Sequence, residues 1–292
     1  MADQVYGRLD LWRDSAAADP EHARELAALL ELRARDPEQV TARAAYLALV
    51  GVAAGARVLD VGCGSGAVTR EIARRVRPGG RVVGLDPSPG FLGVATDLVD
   101  REGLADTVEL RLGDARTLPF ADAEFDVVLA VTALAHTPEA ERALPELVRV
   151  VRPGGRVGIF DLDGDGFVLA HPDRALTRRI VAASTDHLIV NGWLARQLPA
   201  LLADLGLEQV GVRAFTPIER DPAGFHARLA ERRATVAAQV GAITDEERRG
   251  WLSALQAGQA AGRFLGGQTH LFVWGTRATS KGASTAPAQL PR

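Results

Sequence analysis

The sequence predicts an α/β fold, a mostly parallel sheet covered by helices on both faces. Three observations carry this: short apolar runs such as Val58-Leu-Asp-Val and Val82-Val-Gly-Leu, helical periodicity between successive runs, and a glycine-spaced turn, Gly62-Cys-Gly-Ser-Gly66, directly after the first run. Strands buried on both faces read as nearly unbroken apolar segments, and a strand–helix–strand succession makes neighbouring strands parallel.

Residues 21–50 read as two helices, with Pro20 and Pro37 near their first turns and apolar positions including Leu26, Leu30, Tyr46 and Leu47. They precede the first strand, so residues 1–50 are expected to form an N-terminal helical cap. The alternation then runs strand 57–61, helix 67–77, strand 81–85, helix 89–101, strand 108–112, strand 125–131, helix 138–151 and strand 156–161. The heptapeptide Val-Arg-Pro-Gly-Gly-Arg-Val occurs at 76–82 and again at 151–157. Each copy falls where a helix should stop, and its glycines and proline are helix terminators used twice. Two more helices, 172–189 and 193–205, are separated by Asn191-Gly192. Leu207 to Phe215 alternates as a strand. Residues 221–265 read as helical, with a capping box at Thr244 and Glu247. Thr269 to Thr276 reads as a last strand. Residues 278–292, rich in Ser, Thr, Ala and Pro, hold too little apolar content to order themselves and are expected to be a disordered tail.

At 292 residues, 47% hydrophobic and 24% charged, the chain can bury a large core. A net charge of −3 gives no general electrostatic reason to bind nucleic acid or an anionic membrane. No apolar window approaches the ~18 residues of a spanning helix, and the first twelve residues carry no apolar core. The expectation is a cytoplasmic protein, a monomer or homodimer, acting on a small molecule. The one cysteine, Cys63, forbids an intrachain disulfide and a thiolate zinc cluster. Its place in the glycine turn suits a small packing residue better than a nucleophile.

The chemistry concentrates at the ends of the first strands. Gly62, Gly64 and Gly66 let the backbone adopt conformations closed to other residues and approach a ligand, while the following helix offers unpaired N–H groups. Asp60 precedes these glycines. Asp86 closes the second strand, and Asp114 follows the third in Gly113-Asp-Ala115. Each acid has a plainer reading: Asp86 and Asp114 as caps of following turns, Asp60 as an acceptor for loop amides. The spacing Gly62-x-Gly64-x-x-Ala67 also satisfies the nicotinamide-dinucleotide fingerprint, but no plausible hydride-transfer dyad accompanies it. Asp161-Leu-Asp-Gly-Asp-Gly166 copies half of a calcium-binding loop, then fails where position twelve is Pro172 instead of glutamate. A divalent ion at Asp161, Asp163 and Asp165 stays open at this point, although the metal-ligand set is read as none.

Five blocks, Leu59-Asp-Val-Gly-Cys-Gly-Ser-Gly, Gly84-Leu-Asp-Pro-Ser, Gly113-Asp-Ala with Leu118-Pro-Phe, Phe125-Asp-Val-Val, and Leu147-Val-Arg-Val-Val-Arg-Pro-Gly-Gly, occur in this order. In them the chain resembles the class I S-adenosylmethionine-dependent methyltransferases, especially the small-molecule group that includes the ubiquinone and menaquinone C-methyltransferases. The resemblance implies a Rossmann-like, doubly wound, seven-stranded sheet within a cofactor-binding domain over residues 51–277. Its final strand would be antiparallel and inserted beside strand 207–215, and residues 216–268 would be a helical cap insertion near the substrate mouth.

The cofactor so implied, S-adenosyl-L-methionine, carries a sulfonium, an ammonium, a carboxylate, a ribose diol and an adenine, with no phosphate. Asp60 would face the methionine ammonium, and the N-terminus of helix 67–77 would face the carboxylate. Asp86 would accept the ribose hydroxyls. The resemblance places Asp114 and Ala115 at the adenine and Val131 and Thr132 along the methionine portion. It also puts Gly62, Cys63, Gly64, Gly66, Pro87 and Gly113 in the cofactor-binding set. His136, in Ala-His-Thr-Pro after the fourth strand, is the candidate base, the alternative being that it packs or caps the next helix. His171 and His187 are lesser candidates, while His22, His226 and His270 read as structural or surface residues. Strand four lacks the Asn/Asp-Pro-Pro-Tyr/Phe block of enzymes that methylate base and glutamine nitrogens. The expected reaction is methyl transfer to O, N or C of a largely apolar metabolite, such as a secondary metabolite or quinone-like compound. A cyclase or lyase on the same fold is the alternative, and a nicotinamide-dependent oxidoreductase a remote one.

Overall fold

The computed structural model describes Trp12, residues 14–17 and residues 19–279. Its centre is a mixed sheet with main order β3-β2-β1-β4-β5-β8-β6. Strands β1 (Arg57–Val61), β2 (Arg81–Asp86), β3 (Val108–Leu112), β4 (Phe125–Val131) and β5 (Val151–Leu169) are mutually parallel. Strand β8 (Gly266–Arg277) inserts antiparallel between β5 and β6 (Leu207–Phe215). This is the expected seven-strand path, with one addition: the two-residue β7 (Ile218–Glu219) pairs with the start of β8.

Both faces of the sheet are covered, as the continuous apolar strands require. Leu59 and Val61 of β1 pack with α5 (Ala140–Val150) and α7 (Leu194–Asp204) on one side. Val58 of β1 and Val82 of β2 pack with α2 (Pro37–Leu49) and α3 (Ala67–Val76) on the other. Helix α4 (Pro89–Arg101) contributes Val99 to that second side. Because β1 lies between β2 and β4, the chain reverses direction across the sheet there. A crevice opens outside the carboxyl ends of these strands, the place where open α/β sheets bind ligands.

Three elements differ from expectation. Strand β5 runs to Leu169 instead of stopping at residue 161, because β8 is long enough to pair with Phe167–Leu169 beyond a register shift after Leu162. The calcium-like run 161–166 is therefore an irregular stretch inside a strand. The helical region 221–265 is two helices, α8 (Phe225–Gln239) and α9 (Asp245–Ala260), broken at Gly241, whose φ of 75° is left-handed. The capping box of Thr244 and Glu247 starts α9 as expected. Finally, α6 (Arg174–Leu188) joins α8 and α9 in a separate apolar core through Ile180, Ala230, Ala234, Trp251 and Leu255. The cap thus draws on residues before the 216–268 insertion as well as within it.

Helix α1 (Pro20–Arg35) lies across the glycine turn. Its Glu31 accepts from Ser65 Oγ at 2.7 Å and from Arg70 Nη2 at 2.8 Å, and Arg70 also donates to the Ser65 carbonyl at 2.9 Å. Among the described residues no helix is long and apolar enough to cross a membrane. The expected tail, apart from Ala278 and Thr279, and most of the first twelve residues lie outside the described residues.

Candidate active site

The crevice holds a cavity of about 390 Å³, within the range of small-molecule sites. Of the residues read from sequence, Asp60, Gly62, Cys63, Gly64, Asp86, Pro87, Asp114, Ala115, Val131, Thr132 and His136 line it. Gly66 and Gly113 do not. Gly66 is the left-handed residue that starts α3, and Gly113 lies under Leu85, whose Cδ1 would be 2.7 Å from an added Cβ. Gly62 has a φ of 74°, and a Cβ there would come within 2.4 Å of the Ala133 side chain. The turn therefore tolerates neither the conformational restriction nor the volume of a side chain.

The strand ends place two carboxylates in the cavity wall with no cation within 4.0 Å among the described residues. Asp60 is 1% exposed and accepts from Thr69 Oγ1 of α3 at 2.6 Å. Asp86 accepts the Gly64 amide at 2.8 Å and the Ser88 amide at 2.9 Å. Burial pushes both up to about 6, and the charge of Asp86 adds to the rise at Asp60. Asp114 is different: Arg116 grips it at 2.6 Å and, more than any other influence, holds its carboxyl below the usual range. Burial pushes the Cys63 thiol well up, in line with a packing role.

The cavity wall also contains residues that the sequence reading passed over. Arg33 of α1 donates to Thr132 Oγ1 and meets His270 Nε2, each at 3.1 Å. His270, read from sequence as structural or surface, is 2% exposed, lines the cavity and stacks on Phe160 at 4.8 Å. His226, read the same way, is 1% exposed, lines the cavity, and sits 3.5 Å from Glu219. Arg233 of α8 and Gln268 of β8 also line the cavity, as do Arg43 and Arg232. One signal was available: Gln268 and His270 are polar residues on the face of β8 that also carries Phe272 and Trp274. Arg33 and Arg233 had no such signal, since arginine on an amphipathic helix usually faces solvent.

His136 lies in the 3-10 turn Leu134–His136 after β4, with its ring 6.4 Å from that of Trp12. His171 and His187 do not line the cavity; His171 instead stacks on Trp251 at 4.7 Å. The acids of the calcium-like run point to different tasks. Asp161 is fully buried and accepts the Ala135 and Leu162 amides, and burial raises its carboxyl. Asp163 forms a two-pronged pair with Arg196, which also approaches Asp165 at 3.7 Å. Among the described residues no group of three potential metal ligands converges.

This donor set fits S-adenosylmethionine. Two desolvated carboxylates without counter-ions suit a ligand with cationic groups and hydroxyl donors, and a diphosphate would be repelled there. Comparison with known proteins agrees. Residues 59–159 match the methyltransferase domain family. Over 151 residues the chain is 39% identical to methyltransferase GfsG of Streptomyces halstedii, covering 52% of this chain and 49% of that protein. Over 110 residues it is 38% identical to a demethylmenaquinone methyltransferase of Lactobacillus johnsonii, covering 38% and 45% respectively. The chain thus spans about half the length of these curated relatives. Its fold is similar to that of Haemonchus contortus phosphoethanolamine N-methyltransferase 2 in complex with S-adenosyl-L-methionine, with a TM-score of 0.52 and 20% identity, covering 82% of this chain and 52% of that one. Residues 59–159 are a methyltransferase domain, and over that span the chain is similar to curated methyltransferases.

Proposed function

We propose that this protein transfers the methyl group of S-adenosylmethionine to an O, N or C atom of a small, largely apolar molecule. The observation that carries the reading is the pair of buried carboxylates, Asp60 and Asp86, at adjacent strand ends with no cation within 4.0 Å among the described residues. When bound, S-adenosylmethionine supplies an electrophilic methyl on a sulfonium. Asp60 would face its ammonium, Asp86 would accept from its ribose hydroxyls, Asp114 and Ala115 would border the adenine, and Val131 and Thr132 would flank the methionine portion. Gly62, Cys63, Gly64 and Pro87 give the close surface, with Gly66 and Gly113 holding the turns behind it.

Methyl transfer is an in-line displacement, so the chain's main work is positioning and water exclusion. His136 is the candidate general base, placed after β4 within the same cavity as the cofactor residues. Leu162, Leu188, Ile189 and Leu229 supply apolar surface for an acceptor. The net charge of −3 supports a small-molecule acceptor over nucleic acid. The single buried thiol suits the reducing cytoplasm, where a monomer or homodimer would suffice.

Calorimetry with S-adenosylhomocysteine tests this. Wild-type protein should bind it, and Asp86→Ala should weaken binding about tenfold or more, the loss of charge-assisted hydrogen bonds. Unchanged affinity would contradict the assignment. Mass spectrometry of turnover mixtures should detect S-adenosylhomocysteine; turnover of an acceptor without it would favour a cyclase or lyase.

A further inference from the structure

The cavity wall carries groups of both charges. Besides the carboxylates, four residues form a hydrogen-bonded chain along it: Arg33, His270, Gln268 and Arg233. Arg33 Nη2 meets His270 Nε2 at 3.1 Å, His270 Nδ1 meets the main-chain carbonyl of Gln268 at 2.8 Å, and Arg233 Nη2 donates to Gln268 Oε1 at 2.9 Å. Since arginine can only donate, His270 accepts at Nε2 and donates from Nδ1, and so it is neutral. Burial, more than the nearby charge of Arg33, keeps its pKa well below the usual histidine value. Each end of the chain is therefore a guanidinium, and nothing between them carries charge.

Neither guanidinium has a carboxylate within 4.0 Å among the described residues. Arg233 is 1% exposed, donates its other prong to Ser184 Oγ at 2.7 Å, and lies 4.5 Å over the Phe167 ring, with its Nε buried and unpartnered. Its partners are all neutral, and burial pushes it down to about 10. The nearby acids make their direct contacts elsewhere, Asp161 with the amides of Ala135 and Leu162 and Asp163 with Arg196, which also approaches Asp165 at 3.7 Å; Asp161 and Asp165 act on Arg33 and Arg233 only from beyond 4.0 Å. A desolvated guanidinium kept without a counter-ion is unfavourable unless a ligand supplies one, and its planar fork matches a carboxylate or phosphate.

We propose that this wall recognises an oxyanion on the methyl acceptor, so that the substrate is an amphiphilic acid, its apolar body against Leu162, Leu188, Ile189 and Leu229 and its carboxylate or phosphate toward Arg33 and Arg233. The proposal rests on the methyltransferase reading for the word acceptor, but not for the anion site itself. It narrows the substrate class from apolar molecules in general to apolar acids. Arg33 touches Thr132, on the cofactor side, and so spans the boundary between the two halves.

Titration calorimetry tests the proposal on the full chain, with and without S-adenosylhomocysteine. The probes are salicylate, cinnamate and octanoate, each against its carboxamide, together with octyl phosphate. At least one acid should bind about tenfold or more tightly than its amide, the size expected of a charge-assisted pair. Arg233→Gln should abolish that gap while leaving S-adenosylhomocysteine affinity unchanged. Arg33→Gln provides a second variant in case the first does not fold, and should also shrink the gap. Octyl phosphate binding more tightly than octanoate would assign a phosphate, and the reverse a carboxylate; either ranking supports the oxyanion. No acid exceeding its amide, or a gap that survives both substitutions, would overturn it. If S-adenosylhomocysteine fails to bind while the acid preference persists, the methyltransferase reading falls and the anion wall stands.

Discussion

Lowering the pH should weaken cofactor binding through the two carboxylates at the strand ends. Asp60 and Asp86 are both raised to about 6, chiefly by burial, and only the ionised forms attract an ammonium, as at Asp60, or accept from both ribose hydroxyls at once, as at Asp86. A group titrating near 6 is about nine-tenths protonated at pH 5 and almost fully ionised at pH 8, so each required carboxylate costs about tenfold in affinity and the pair about a hundredfold, roughly 2.7 kcal/mol. The fold alone should respond in the opposite sense. Because these two groups bind protons more readily folded than unfolded, their own contribution to the stability of the ligand-free protein grows as pH falls from about 7 toward 4, while acids held low, such as Asp114 and Glu146, lose theirs at the acid end. Calorimetric titration with S-adenosylhomocysteine across this range, alongside thermal melts of the free protein, reads both effects. Asp86→Asn should remove about half of the logarithmic slope. A flat affinity profile from pH 8 to 5, or a slope unchanged in that variant, would refute the argument.

Gly62→Ala places a Cβ 2.4 Å from Ala133 at a φ of 74° and should cost about 2–4 kcal/mol by chemical denaturation; Gly103→Ala, also left-handed but with nothing within 4 Å, should cost only about 1 kcal/mol. Equal costs would mean that crowding at the turn is not what demands glycine. Glu31→Ala removes the acceptor that ties α1 to Ser65 and Arg70; hydrogen exchange should then accelerate in residues 20–35 and spare β1 to β5, at a cost of about 1–3 kcal/mol. Uniform acceleration would show that α1 is not a separate unit. His136→Ala should lower kcat about a hundredfold or more if the side chain moves a proton, with S-adenosylhomocysteine affinity within about twofold of wild type; an unchanged kcat would leave His136 a packing residue.

The sheet and the cofactor half were legible because both are written locally. Short apolar runs such as Val82-Val-Gly-Leu, bounded by glycine and proline, read as strands buried on both faces, and the left-handed turn at 62–66 favours glycine whatever surrounds it. The acids fall at strand ends in the chain itself, so no tertiary contact had to be guessed. The length of β5 was less accessible, because residues 162–169 are extended by pairing with β8, more than a hundred positions away. The break in 221–265 could have been read from Gly241 and the capping box together.

The wall that carries Arg33 and Arg233 was hidden for a different reason. It joins α1, α8 and β8, elements from both ends of the chain, and no spacing rule links Arg33 to Arg233. Each arginine sits on an amphipathic helix where a solvated charge is the ordinary expectation, and only the tertiary structure shows that it faces a cavity. His270 and Gln268 gave a partial signal as paired polar residues on an otherwise aromatic strand face.

The central claim is that Asp60 and Asp86 grip one cationic adenosyl ligand at the ends of β1 and β2. A crystal structure of the protein with S-adenosylhomocysteine tests it most directly. The account predicts the ligand in this crevice, its ribose hydroxyls hydrogen-bonded to Asp86 and its amino group beside Asp60. A ligand bound elsewhere, or turned so that neither carboxylate touches it, would contradict the account.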